Sequence, residues 1–130
     1  MRMLYVAQRP SVRFAKAVDG YLNGKESTIV LSSRNSLPSD LTGFDGVCLV
    51  GPQRGIFENQ GYLSFFADKA QRDGVPPVLL VSKPKQTLPE SVLSKLGGVL
   101  RTRDRTSQYV AMEIEKYLRG EASSIRTSGL

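Results

Sequence analysis

At 130 residues, with a net charge of +6, 40% hydrophobic and 23% charged residues, the chain has the make-up of one ordinary globular domain, large enough to bury about two thirds of its unfolded surface without cross-links. A single cysteine, Cys48, excludes an internal disulfide, and a sequence without histidine excludes Ser-His and Cys-His catalysis and lacks the commonest zinc ligand. The opening MRMLYVA is too short for a signal peptide, and no apolar run approaches the roughly 18 to 20 residues of a membrane span, so a cytoplasmic protein is expected.

Met3 to Ala7 is a compact run of strand formers, stopped at once by Gln8-Arg9-Pro10-Ser11. Phe14, Ala17, Val18, Tyr21 and Leu22 then recur at helical spacing, which predicts a helix from Val12 to Asn23 with Ser11 as N-cap and Gly24 beyond its end. Ser27 to Ser32 reads as a second strand. The link that follows is too short for a long helix, but Leu37-Pro38-Ser39-Asp40-Leu41 suits one or two helical turns. Val47 to Val50, between an Asp-Gly turn signal and Gly51-Pro52, is apolar without alternation, as in a strand covered on both faces. It is the expected centre of the sheet, with Cys48 an inert core thiol.

After a polar, glycine-containing loop, Leu63, Phe66, Ala67 and Ala70 lie on one face of a helix running from Tyr62 to Asp73-Gly74. Val78 to Val81 is another covered strand. Thr87-Leu88-Pro89-Glu90 carries a capping box for a helix that buries Val92, Leu93 and Leu96, and Gly98 to Leu100 begins a fifth strand. Val110, Ile114, Tyr117 and Leu118 are spaced for a last helix, and residues 121–130 have nothing to bury and read as a flexible tail. Strand and helix alternate through residues 1–120. A three-layer α/β sandwich around a five-stranded parallel sheet is therefore expected as a single domain.

The stretch Leu41 to Pro52, LTGFDGVCLVGP, resembles the flavodoxins and flavodoxin-like proteins: an aromatic-Asp pair, an apolar strand, a Gly-Pro break, then Gly55 and a helix carrying Phe65-Phe66. The resemblance covers the order of elements from Met1 to Gly120 and implies strand order 2-1-3-4-5. It also implies a site for FMN, with an electron-transfer or redox role, at the carboxyl ends of strands one, three and four. Arg9, Ser11 and Arg13 would then hold the phosphate, with Pro52, Arg54, Gly55 and Phe57 around the ring. Against the family pattern, the first loop has one hydroxyl, Ser11, and Pro10 supplies no N–H.

Charge placed on this arrangement is uneven. Arg9, Arg13, Arg34, Arg54, Lys83, Lys85, Arg101, Arg103 and Arg105 fall in the loops after the strands, nine of the 18 bases. Glu58 and Asp104 are the only two of the 12 acids there, so this edge carries about +7 and the remainder about −1. Seven of the nine are arginines, which suit forked contacts to phosphate oxygens. A phosphorylated small molecule is the expected ligand, with Arg34, Lys83, Lys85, Arg101, Arg103 and Arg105 as further anion contacts; merely solvated loops are the bland alternative.

Two rival readings use the same edge. One is a cofactor-free module that binds nucleic acid or an acidic protein. The other is an enzyme acting on a nucleotide or nucleoside through Glu58, since Toll/interleukin receptor modules and nucleoside deoxyribosyltransferases share this topology and use a glutamate at the corresponding helix start. A lone glutamate is more often structural. No metal site is expected.

Overall fold

The computed structural model describes residues 1–31, 37–51, 60–81, 91, 94, 96, 98–101, 105–120 and 125–126. Its strands are β1 (Met3–Ala7), β2 (Thr28–Leu31), β3 (Gly46–Gly51), β4 (Pro77–Val81), β5 (Gly98–Arg101) and β6 (Ile125–Arg126), and its helices α1 (Val12–Tyr21), α2 (Gln60–Arg72) and α3 (Ser107–Leu118). All strand pairs are parallel, in the order β2-β1-β3-β4-β5-β6. The α/β class and the order β2-β1-β3-β4 are as the sequence implies. The five-strand count is corrected: the tail contributes a sixth strand, because β5 is left with an open outer edge that an extended segment can pair.

The apolar runs are continuous because both faces of the sheet are covered. Every residue of β1 and β3 is buried. Successive side chains nonetheless point to opposite layers. Leu4, Val6, Val47, Leu49 and Leu79 pack with Leu63, Phe66, Ala67 and Ala70 of α2, whereas Met3, Tyr5, Ala7, Cys48, Val50, Val78 and Leu80 pack with Ala15 and Val18 of α1 and Val110, Ala111 and Ile114 of α3. The register Tyr5↔Cys48↔Val78 keeps like-facing residues side by side.

The amino edge of the sheet is laced by backbone bonds. Arg2 donates its N–H to Asp45 Oδ2 at 2.7 Å and accepts from the Asp45 N–H at 2.7 Å, the Lys25 N–H donates to Met1 O at 2.8 Å, and the Met3 N–H donates to Ser27 Oγ at 3.0 Å. The Arg2 guanidinium lies 4.5 Å from the centroid of the Phe44 ring and donates through Nε to Glu26 O at 3.3 Å. This one side chain joins the turn before β2 to the turn before β3.

Residues 37–41 do not make the expected helical turns. Side chains satisfy this backbone instead: the Leu41 N–H donates to Asp73 Oδ2 at 2.9 Å, Lys69 Nζ donates to Ser39 O at 2.7 Å, and Asp40 Oδ1 accepts from the Thr42 N–H and hydroxyl at 2.9 and 2.6 Å. Those competing bonds offer the chain an alternative to helix. The predicted helix after Thr87 lies outside the described residues, apart from Ser91, Ser94 and Leu96, of which Leu96 is buried.

Candidate functional site

The carboxyl edge of the sheet is where an open parallel α/β sheet presents its loops and helix starts. After β1 the Gln8 N–H donates to Val50 O at 2.9 Å, which carries the pairing with β3 one residue further. The chain then closes into a 3-10 turn, Arg9–Ser11, with the Ser11 N–H on Gln8 O at 2.8 Å, and runs directly into α1. Ser11 occupies the N-cap position of α1, but its hydroxyl makes no capping bond and its backbone (φ −103°, ψ 1°) is not extended as a capping residue's usually is. Arg9 and Arg13 are exposed and Ser11 half-buried.

At the other end of the edge, Arg101 closes β5 and Arg105 precedes α3. The Arg105 guanidinium is stacked 5.0 Å from the centroid of the Tyr109 ring, and Thr106 Oγ1 caps the helix by accepting from the Tyr109 N–H at 3.1 Å. Three strand spacings separate β1 from β5 in the sheet order, about 14 Å across. Arg9 and Arg13 therefore share an edge with Arg101 and Arg105 but not a single small pocket. The predicted contacts Arg34, Pro52, Arg54, Gly55, Phe57, Lys83, Lys85 and Arg103, and the candidate Glu58, lie outside the described residues.

The opposite edge, where the helices end, holds ion pairs. Arg72 lies 3.7 Å from Asp73, Lys116 lies 3.7 Å from Glu113, and Arg119 pairs with Glu115. Each of these three bases has an acidic neighbour one to four residues away in the chain.

Between α1, α3 and the sheet lies a polar group of side chains that hydrophobic periodicity does not reveal. The Tyr5 hydroxyl, in the middle of β1, donates to Asp19 Oδ1 at 2.9 Å. Burial, then the neighbouring Cys48 and Asp19, pushes the Tyr5 phenol well above its usual range. Cys48 is fully buried, and burial followed by the Asp19 charge raises its thiol from 9.0 to about 12. It is therefore inert as a nucleophile. The sequence signal for this group is a tyrosine inside an otherwise aliphatic strand, since a buried phenol needs a partner. Among the described residues no cluster of three or more His, Cys, Asp or Glu is placed to hold a metal ion, and no helix is long and apolar enough to cross a membrane.

No protein-family model matches the sequence, and comparison with curated protein sequences gives no match. Solved structures do resemble it. The regulatory domain of the master biofilm regulator CsgD superposes with a TM-score of 0.66 at 14% identity, over 98% of this chain and 93% of that one. HP1043, an orphan response regulator of H. pylori, superposes with a TM-score of 0.62 at 17% identity, over 92% and 97%. At these identities the likeness establishes the flavodoxin-like fold.

That finding corrects the functional expectation. The structures on which this chain superposes along nearly their whole length are a regulatory domain and a response regulator, so the reading of an FMN-binding electron carrier is overturned. The local geometry runs the same way: a 3-10 turn with proline at its start replaces an open, hydroxyl-rich phosphate loop after β1. The neighbours equally give no support to a nucleic-acid or acidic-partner module on the basic edge, or to a Glu58-dependent enzyme.

Proposed function

We propose that this chain is a regulatory domain of the signalling type, cytoplasmic, which acts through contacts with other proteins rather than by carrying electrons. What supports the reading above all is the extent of the likeness: a regulatory domain and a response regulator each match over more than nine tenths of both chains. The mode of regulation is argued from the carboxyl edge. Transfer of a phosphoryl group to a carboxylate needs a divalent cation held by oxygen ligands. The residues that follow β1 and β3 are Gln8-Arg9 and Pro52-Gln53, none of them a carboxylate. We therefore infer that regulation runs by association alone.

Protein contacts call for apolar side chains left on the surface. Tyr21 on α1, Phe65 on α2 and Met112 on α3 are 53%, 57% and 46% exposed. The test is photocrosslinking in cells, with benzoylphenylalanine placed singly at these three positions of the full chain. A discrete protein adduct from at least one position is expected; folded chains without an adduct at any of the three overturn the proposal. Incubation with acetyl phosphate and Mg²⁺ is expected to leave the mass unchanged, and a phosphoryl adduct overturns regulation by association alone.

A further inference from the structure

The α1 helix turns Arg13, Lys16, Ala17, Gly20 and Tyr21 to solvent, while Ala15 and Val18 are buried against the sheet. Its one acid, Asp19, is held by the Tyr5 hydroxyl at 2.9 Å. Neither Arg13 nor Lys16 has a hydrogen bond or ion pair among the described residues. The outward face thus carries two unpaired cations and an exposed aromatic ring.

Side chains four residues apart on a helix form oblique ridges. Arg13, Ala17 and Tyr21 make one such ridge, and Lys16 and Gly20 begin the next. The groove between them is shallow, and Gly20 leaves its floor bare. Nothing inside the fold asks for a glycine there: its φ is not positive, nothing lies within 4 Å of where a Cβ would stand, and glycine weakens a helix relative to alanine. The room it leaves opens only to the outside.

The geometry points to this face as a self-complementary contact, on which a second copy of the chain packs its own α1 antiparallel about a two-fold axis beside Ala17. The ridge has a cation four residues before Ala17 and an aromatic ring four residues after it. A two-fold there sets the Arg13 of each copy against the Tyr21 of the other, and it holds the two Arg13 side chains about 12 Å apart along the helices. The chain already makes this pairing within itself, with Arg2 at 4.5 Å from the Phe44 ring and Arg105 at 5.0 Å from the Tyr109 ring. Ala17 and the bare floor at Gly20 let each ridge sink into the other groove. One helix per copy makes a small contact, so the dimer is reversible. This names the partner at Tyr21 and rests on the reading of a domain that works by protein association.

Sedimentation equilibrium of the full chain is expected to show a reversible rise from monomer to dimer mass, and a chain that stays monomeric up to about 1 mM overturns the proposal. Both copies are cationic on this face, so added salt should tighten the dimer; an association that salt weakens overturns it. Tyr21→Arg sets guanidinium against guanidinium and is expected to weaken the dimer at least about tenfold, and adding Arg13→Tyr to that variant should bring it back to within about threefold of wild type. Gly20→Gln fills the groove without touching the fold, so it should weaken the dimer at least about tenfold with no fall in thermal midpoint. Wild-type association by Y21R or G20Q, or a swapped double variant no tighter than Y21R, overturns the proposal; if Y21R does not fold, Gly20→Gln decides alone. The two readings fail separately. A dimer that meets these criteria without an adduct to any other protein keeps the contact and discards the signalling role, while a monomeric chain that gives such adducts discards the contact alone.

Discussion

Gly24 and Asp19 show how far a single atom constrains this chain. A Cβ on Gly24 would fall inside the van der Waals envelope of the Asp19 carboxylate, which is held in place by the Tyr5 hydroxyl. Gly24→Ala must therefore turn Asp19 away and leave a buried phenol without its acceptor. We expect a loss of about 2 kcal/mol in urea unfolding. The loss should shrink to below about 0.5 kcal/mol in an Asp19→Ala background, where the obstacle is gone. Equal costs in both backgrounds would place the effect in the backbone rather than in the carboxylate.

Cys48 supplies a test by pH at the same scale. Its thiol is raised in the folded chain from 9.0 to about 12, so above pH 9 the unfolded chain releases a proton that the folded chain keeps. Stability is then fully present below pH 9 and falls as pH rises toward 12, with a limiting slope of about 1.4 kcal/mol per pH unit from this group. Tyr5, raised in the same direction, adds to the fall at the alkaline end. Denaturant midpoints between pH 8 and 11 should show a shallower decline in Cys48→Ala than in wild type. An unchanged slope would mean that the thiol ionises without unfolding.

At the scale of elements, Lys69 of α2 and Asp73 just beyond it tie down the segment before β3. Lys69 is 8% exposed, and its ammonium donates to Ser39 O at 2.7 Å. Lys69→Ala removes the bond and the packing together. A destabilisation of about 2 kcal/mol is expected. Hydrogen exchange should accelerate at residues 39–42, where the backbone depends on side-chain partners, more than in β1 or β3. Uniform acceleration would indicate a general loss of stability rather than release of this segment. The α3 helix offers a smaller test: Thr106→Ala removes the cap on the Tyr109 N–H and should cost about 1 kcal/mol in thermal or urea unfolding.

At the scale of the whole molecule, this flavodoxin-like fold superposes on a regulatory domain and on a response regulator, and one titration tests for a flavin carrier. FMN added to the purified protein should keep its free fluorescence, and the protein should be colourless. Quenching at micromolar protein would restore the flavin reading. The distribution of charge bears on the same point. The basic residues after β1 and β5 occupy one edge, but the sheet order sets them three strands apart.

Much of the fold was legible in the residues. The apolar runs at Met3–Ala7 and Val47–Val50 and the helical repeats from Phe14, Leu63 and Val110 are local patterns, and local patterns select strand or helix before any distant contact forms. Folding alone decided which distant groups meet. It brought Tyr5 to Asp19, pinned residues 37–41 with Lys69 and Asp73, and laid Ile125–Arg126 against β5. Each of these joins residues far apart in the chain or replaces a weak local preference, and its energy exists only once the sheet is assembled. Charge behaves likewise: counting along a chain gives its total, whereas the distances that turn separate cations into a site are set by strand order across the sheet.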